Sequence, residues 1–327
     1  MQFIDLIPRH GDIVNDIAFD YLGKRFASCS SKIKVWDLDE DTKTWSCYDI
    51  PRIHQDIIWR LSWAHPEFGQ MFASCSEDKT VIIWEEQESV SGSDNKERGR
   101  WLKKTQLSDS KKSVNDVKFG PRQLGLKLAA GSADGMVRIY EANDVFSLGY
   151  WPLQDSFQAE STSGPDHIAE HGVTSLSWSD CPFESPKLVV GGYSKLAAVW
   201  SCDNGKWAQE CVLESHGGPV HDVAWAPTMG RSYHLIASAS REKSFKIHTL
   251  RRENGALVYS PDATQTVHTN SEVWRVAWNV TGTVLVTSAE DGSLGLWRRD
   301  FSGDWINVQN LPLVNAEPTK AMYGRVG

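Results

Sequence analysis

The sequence predicts an all-β protein that folds as a six-bladed β-propeller, and two observations lead to this prediction. A similar unit recurs six times along the 327-residue chain, and each unit contains several strand-like runs. Self-similarity at a period of roughly 20–50 residues is the signature of propellers and other repeat folds. The six units close, in chain order, on Trp36, Trp84, Tyr140, Trp200, His248 and Trp297.

The second unit shows the order of the parts most clearly. It begins at His54 and continues through two apolar runs, at residues 57–63 and 71–76. A turn at residues 77–79 then leads to a third run, residues 81–84, which ends the unit. Because alternating or continuously apolar runs separated by turn residues are typical of β-strands, each unit supplies three strands.

A fourth, weaker run links consecutive units, as at residues 45–50 and 207–213. Six units of four strands indicate a propeller, and a helical solenoid is excluded because apolar spacings of three, four and seven are nowhere sustained. We expect one domain over residues 1–313 and a disordered tail at 314–327. The expected blades cover about residues 10–50, 54–100, 113–155, 171–213, 216–265 and 268–311.

The polar residues that recur in these units have a structural explanation. In WD-repeat blades a His, a strand Ser or Thr, a turn Asp and the closing Trp commonly form a hydrogen-bonded set, and each such group left buried and unpaired would cost about 1–3 kcal/mol. A His-Ser-Asp trio also suggests a nucleophile and its base, but an enzyme would gather its chemistry once rather than in several blades. We expect two structural sets, His54, Ser74, Asp78 and Trp84 in blade 2 and His268, Ser288, Asp291 and Trp297 in blade 6.

Composition argues against several functional classes. A formal charge of −8 without a long basic run argues against nucleic-acid binding. No apolar stretch approaches the roughly 20 residues that span a bilayer, and the first residues resemble no targeting peptide. The six cysteines form no CxxC pair and so indicate thiols rather than a zinc site. Since no Gly-rich phosphate loop is present either, we expect no cofactor, no metal and no enzymatic activity.

Ring closure is open to two interpretations. Closed propellers usually complete the last blade with a strand from the opposite terminus, and residues 3–7 could supply that strand. Residues 305–311 could equally form the last blade's outer strand. We hypothesise an open seam between the first and last blades, which a partner would complete by adding strands. A closed six-bladed ring is the alternative.

Four longer stretches carry a more specific resemblance. They are residues 63–70 (WAHPEFGQ), 132–142 (SADGMVRIYEA), 219–227 (PVHDVAWAP) and 272–283 (EVWRVAWNVTGT). Together they resemble the Seh-type nucleoporins, the sister group of the small propeller in the outer COPII coat, and the resemblance extends from the first blade to the last. The first unit lacks the turn Asp, the third lacks the opening His and the fifth ends in His248.

The resemblance implies a scaffold function. Seh-type proteins are open six-bladed propellers, completed by a strand-bearing insertion of an α-solenoid nucleoporin in the Y-shaped nuclear pore complex. Family members also belong to the complex that relays amino-acid supply to the TOR kinase. The implied locations are the nuclear envelope, the lysosomal or vacuolar surface and a cytosolic pool, and the implied partners are the subunits of these complexes.

The resemblance also places the seam between the first and sixth units. Carried over by position, the partner-binding residues are Val14, Asp16, Ile17 and Phe19 of the first unit and Val273, Arg275, Val276 and Trp278 of the sixth. The nearest alternative is the COPII-coat sister, which has the same fold. A ubiquitin-ligase receptor or a phosphoinositide-binding propeller is disfavoured, because the Trp-Asp-x-Arg and paired-arginine motifs of those classes do not match.

Overall fold

The computed structural model describes residues 10–87, 100–142, 144, 148–160, 172–253 and 256–311. These residues form six four-stranded antiparallel sheets, each built from four strands that are consecutive in the chain. The prediction of an all-β, six-bladed propeller is confirmed. Two short 3-10 turns, Pro66–Phe68 and Arg122–Leu124, interrupt the strands.

Blades 1 to 3 contain the first twelve strands. Blade 1 comprises β1 (Asp16–Phe19), β2 (Arg25–Cys29), β3 (Ile33–Leu38) and β4 (Trp45–Asp49). Blade 2 comprises β5 (Ile58–Trp63), β6 (Met71–Ser76), β7 (Val81–Gln87) and β8 (Arg100–Leu107). Blade 3 comprises β9 (Val114–Phe119), β10 (Lys127–Ser132), β11 (Met136–Glu141) and β12 (Leu153–Gln158).

Blades 4 to 6 contain the remaining twelve. Blade 4 comprises β13 (Val173–Trp178), β14 (Lys187–Gly192), β15 (Ala197–Asp203) and β16 (Lys206–Val212). Blade 5 comprises β17 (Val220–Trp225), β18 (Tyr233–Ser240), β19 (Ser244–Glu253) and β20 (Ala256–His268). Blade 6 comprises β21 (Val273–Trp278), β22 (Val284–Ala289), β23 (Leu294–Arg299) and β24 (Trp305–Leu311).

The outer strands of blades 2 and 6 have the following bounds and pairing. Strand β8 begins where blade 2 was expected to end, at residue 100, because residues 88–99 separate it from β7. Strand β24 pairs with β23, so residues 305–311 are the outer strand of blade 6. Residues 3–7 and the expected tail at 314–327 lie outside the described residues.

The hydrophobic core lies between consecutive blades. In the part of the chain that is described, five clusters of buried side chains join blades 1 and 2, 2 and 3, 3 and 4, 4 and 5, and 5 and 6. Face-to-face packing of sheets in this way buries the apolar side of each strand. A closed ring of six blades would need six such clusters, and these residues form none between blades 6 and 1.

The polar set of blade 2 has the geometry that the repeat pattern predicts. His54 Nε2 lies 2.8 Å from Ser74 Oγ and His54 Nδ1 lies 2.8 Å from Asp78 Oδ2. The indole of Trp84 donates to the same Ser74 hydroxyl at 2.9 Å. His54 and Ser74 are buried. The hydroxyl is therefore engaged inside the blade and inaccessible to a substrate.

Of the set expected in blade 6, only Trp297 makes the kind of contact predicted for it. Trp297 donates its indole N–H to Thr287 Oγ1 at 3.0 Å, so Thr287 rather than Ser288 supplies the hydroxyl. Successive side chains of a strand point to opposite faces, and Ser288 therefore faces away from Trp297. His268 is exposed at the end of β20, and Asp291 accepts instead from the backbone N–H of Ser293 at 2.9 Å.

Other blades replace individual members of the set. In blade 5, His248 stands in the place of the Trp, with its Nε2 2.9 Å from Ser238 Oγ, and burial lowers its pKa to about 3. In blade 4, Val190 occupies the hydroxyl position opposite Ala198. The buried indole N–H of Trp200 consequently has no hydrogen-bond partner among the described residues.

Among the residues that the structure describes, no helix is long and apolar enough to cross a membrane. The same residues contain no group of three or more His, Cys, Asp or Glu side chains placed to hold a metal ion.

Candidate partner interface

The two faces that meet at the seam can be identified from the alternation of side chains along each strand. On the inner strands, one set of side chains faces the preceding blade and the other faces the following blade. Leu61 of β5 packs into the cluster shared with blade 1, whereas Ala224 of β17 packs against the cluster shared with blade 6. The same rule assigns one face of blade 1 and one face of blade 6 to the seam.

The seam face of blade 1 presents apolar side chains to solvent. Ile17 pairs with Ser28 in the register in which Leu61 pairs with Ser74 in blade 2. Leu61 is 1% exposed, but Ile17 is 45% exposed because no blade covers it. Phe19, two residues further along the same face, is 57% exposed.

The seam face of blade 6 shows the same contrast. Leu294 pairs with Ser288 in the register in which Val81 pairs with Cys75. Val81 is 2% exposed beneath blade 3, whereas Leu294 is 39% exposed. The other apolar side chains of this face, which are only half-buried, are Val284, Val286 and Leu296.

Among the described residues, one hydrogen bond crosses the top of the seam. The guanidinium of Arg275, at the start of β21, donates to the backbone carbonyl of Asn15 at 3.3 Å. A single long hydrogen bond contributes about 1 kcal/mol at most. The first and last blades therefore touch at the centre of the ring but leave the apolar parts of their facing sheets uncovered.

The residues predicted for the interface divide into two groups. Ile17 and Phe19 are exposed on the seam face, and Val14 and Arg275 lie beside the central opening. Val273, Val276 and Trp278 instead belong to the cluster between blades 5 and 6, so their assignment to the seam is wrong. Asp16 is turned towards blade 2, where its Oδ2 accepts the N–H of Leu61 at 2.9 Å.

The sequence reasoning missed the apolar residues of β22 and β23. A signal for them exists, because Val284, Val286, Leu294 and Leu296 occupy the positions that face the following blade in other units. The last unit of an open ring has no following blade to cover them.

A ring of polar side chains surrounds the central channel. The inner strands of blades 1 to 6 place there, in order, Asp16, Arg60, Asp116, Ser175, Asp222 and Arg275. Asp116 and Asp222 each accept a backbone N–H of the following blade, from Leu176 at 2.7 Å and Val276 at 3.0 Å. These bonds fix the angle between neighbouring inner strands.

Charge pairing spans the channel as well. Arg60 of blade 2 donates to Asp222 of blade 5 at 2.8 Å, and both side chains are buried. Burial alone would raise the pKa of Asp222, but Arg60 and Arg275 outweigh it and hold that pKa below its usual range. The pair connects blades 2 and 5 across the channel. Removal of either member would leave the other charge buried without a partner, which is strongly destabilising.

Comparison with known proteins agrees with the repeat architecture. The WD domain, G-beta repeat, matches residues 1–37, 45–85, 101–141 and 259–298. Nucleoporin SEH1-B of Xenopus laevis is 40% identical over 316 residues, which cover 90% of this chain and 84% of that protein. Nucleoporin SEH1 of Homo sapiens is 40% identical over 318 residues, with the same coverage, and that of Danio rerio is 39% identical over 316 residues, covering 90% of this chain and 83% of the fish protein. The chain belongs to the SEH1 family of nucleoporins.

Proposed function

We propose that the chain is a non-catalytic scaffold subunit of the nuclear pore, completed in trans by a strand-bearing insertion of an α-solenoid nucleoporin of the Y-shaped complex. The relatives at 39–40% identity carry the name nucleoporin, which supports the nuclear pore assignment. The observation that carries the mode of binding is the uncovered apolar face on each side of the seam.

The chemistry of the two faces favours a β-structured insertion. Ile17 and Phe19 form one apolar wall, and Leu294 with its neighbours on β22 and β23 forms the other. A partner element between them has to be apolar on both faces, as a strand buried on both sides is. Such an element would form the core between blades 6 and 1 that the described residues lack. Binding of the partner would therefore complete the ring.

We propose that the same seam also serves in a second assembly. The proposal includes membership of the amino-acid-sensing TOR regulatory complex, at the lysosomal or vacuolar surface, with a cytosolic pool between the two assemblies. Since one chain has one seam, each copy holds one insertion at a time. The alternative function is that of the sister propeller in the outer COPII coat, which the names of the relatives disfavour.

Affinity purification of the tagged full chain from its own cells, with mass spectrometry of the partners, tests the proposal. We expect α-solenoid nucleoporins in near-equal amounts and a fluorescent rim at the nuclear envelope. The variants Ile17→Asp and Leu294→Asp should each lose these partners. Val212→Asp is the matched control, because Val212 is equally exposed, at 40%, but lies on the outer strand of blade 4.

The partners that are recovered discriminate between the alternatives. COPII coat proteins in stoichiometric amounts would replace the nucleoporin assignment by the coat assignment. TOR-complex subunits alone would remove the nuclear pore role. Recovery of no stoichiometric partner, or equal loss in the Val212→Asp control, would refute binding through the seam.

A further inference from the structure

A funnel of about 1120 Å³ opens at the end of the central channel where the inner strands begin, and side chains from all six blades line it. It is separate from the sheet faces of the seam, although Asn15 and Arg275 belong to its wall. A concave site of this size is large enough for a peptide segment or a small ligand.

Irregularities in the inner strands aim side chains into this funnel. The register shifts around the second residue of five inner strands, β5, β9, β13, β17 and β21. These residues are Trp59, Asn115, Thr174, His221 and Trp274. A β-bulge re-aims one side chain out of the alternating pattern. The same irregularity therefore recurs in blades 2 to 6 and points one residue of each towards the funnel.

Three aromatic rings lie among these residues. His221 and Trp274 stack with their ring centroids 4.2 Å apart and their planes 14° apart, and Trp274 is 46% exposed. Trp59, in blade 2, donates its indole N–H to Glu77 at 2.9 Å. By contrast, the Thr174 hydroxyl donates to the carbonyl of Val220 and only ties blade 4 to blade 5. Trp59 also packs against the core between blades 2 and 3, so the largest exposed ring area in the funnel belongs to Trp274.

The charge of the funnel is opposite to that of the chain. Although the net charge of the protein is −8, the described lining contains five cations, Arg60, Lys79, Lys112, Arg241 and Arg275, and one carboxylate, Glu77. A concave surface with an excess of one sign concentrates ligands of the other sign.

The arginines of the lining differ in whether a carboxylate lies within ion-pair distance. Arg60 is paired with Asp222 at 2.8 Å, and Arg241 lies 3.4 Å from Glu272. The guanidinium of Arg275 donates to the Asn15 carbonyl and, within the described part of the chain, forms no ion pair with a carboxylate. Burial, together with the nearby charge of Arg60, lowers its pKa. The carboxylates of Asp16, Asp116 and Asp222 act on Arg275 only from beyond ion-pair distance. An added carboxylate in the funnel would give this buried guanidinium a direct partner.

We propose that the funnel binds an acidic peptide segment of a partner protein, with a carboxylate directed at Arg275 and an apolar side chain against Trp59 or the His221–Trp274 stack. A long polyanion such as RNA fits less well, because the negative charge of the protein as a whole repels it. The inference does not depend on the proposed insertion at the seam.

A random dodecapeptide library displayed on phage and selected on the immobilised full chain tests the proposal. We expect the selected peptides to share one or more Asp or Glu residues next to an aromatic or large aliphatic residue. Fluorescence anisotropy of the best labelled peptide should show weaker binding at higher salt, as expected for charge pairing.

Variants then locate the binding site. Trp274→Ala should weaken the selected peptide about tenfold, the effect expected for loss of an aromatic anchor. Arg241→Gln, at the exposed rim, should weaken it about threefold. Arg122→Gln is the matched control, since Arg122 is exposed at the far end of β9, and Leu294→Asp should leave peptide binding unchanged while it removes the seam partner.

Three results would overturn the inference. One is the absence of any enriched peptide, and the second is a set of enriched peptides without acidic residues. The third is a single-stranded RNA dodecamer that binds more tightly than the selected peptide and with the same dependence on Trp274, which would assign the funnel to nucleic acid instead.

Discussion

Blades 2 and 6 present the same arrangement of apolar side chains to the following blade, yet only in blade 2 is that face covered. Ala73 and Ile83 are opposite each other in β6 and β7, as Val286 and Leu296 are in β22 and β23. The first pair is buried beneath blade 3, and the second pair is only half-buried. The difference in burial therefore comes from the presence or absence of a following blade and not from the residues of the repeat.

This contrast explains how a repeat can serve both as structure and as an interface. A soluble protein normally places polar residues where a sheet face meets water, because exposed apolar patches invite association. Blade 6 has kept apolar residues on its outward face, which is what a surface that is buried in an assembly requires. The five internal cores then hold the ring, and under the proposed function the uncovered faces of blades 6 and 1 bind a partner.

The largest expected effect is a difference in stability between two variants that carry the same substitution at matched positions of blades 2 and 6. Val81→Asp places a charge in the core between blades 2 and 3 and should destabilise the chain by about 4 kcal/mol or more. Leu294→Asp, at the same register in blade 6, should cost about 1 kcal/mol or less, because water reaches the site. Urea unfolding of the two purified variants measures both values.

The comparison would fail if the two variants lost similar stability. A large cost for Leu294→Asp in the free chain would mean that blade 6 is covered in solution, and the open seam would have to be abandoned.

The polar sets provide a second, smaller contrast between the same blades. Asp78 accepts hydrogen bonds from His54, from the N–H of Gln55 and from the N–H and hydroxyl of Thr80. Asp78→Asn should therefore cost about 2 kcal/mol, since several of these bonds need an acceptor on both oxygens. Asp291→Asn, at an exposed turn, should change the stability by less than about 0.5 kcal/mol. Thermal unfolding at pH 7 checks both values, and an equal effect would place the two turns in similar environments.

The stabilisation by Asp78 should also depend on pH. Burial raises the pKa of this carboxyl, but hydrogen bonds from His54 and Thr80 outweigh burial and hold the pKa well below its usual range. A group with a depressed pKa in the folded state stabilises the fold above its unfolded pKa, about 4, and loses that effect as the pH falls further. The difference in unfolding free energy between the wild type and Asp78→Asn should be constant from pH 7 to 5 and shrink below pH 4. A difference that grew on acidification would contradict this assignment.

The repeat pattern was sufficient to predict the fold and the polar set of blade 2, because every member of that set is present. It failed for blade 6, where Thr287 and Ser288 both carry a hydroxyl and only the strand register shows which one meets Trp297. A shift of one residue moves a side chain to the opposite face of a sheet. Element identity is thus easier to infer from sequence than the direction of a side chain.

The interface shows the same limit. The seam was predicted between blades 6 and 1, where the described residues form no core cluster, but Val273 and Val276 were assigned to the wrong face of β21. The bulge at Trp274 interrupts the alternation, so that both valines point towards blade 5. Apolar residues on a strand indicate burial, and which neighbour buries them depends on the three-dimensional arrangement of the blades.

The smallest expected effect concerns the hydroxyl that blades 2 and 6 possess and blade 4 lacks. Val190→Thr is nearly isosteric and places an acceptor near the indole N–H of Trp200, which has no partner among the described residues, as Thr287 does for Trp297. The gain of one hydrogen bond should offset the burial of the hydroxyl, leaving a change between zero and about 1 kcal/mol of added stability. Val189→Thr is the control, because its buried side chain faces the cluster with Val220 and Val223 and should cost about 1–2 kcal/mol. Guanidinium unfolding measures the stability of both variants. A Val190→Thr variant as unstable as the control would show that the indole of Trp200 does not bond the added hydroxyl.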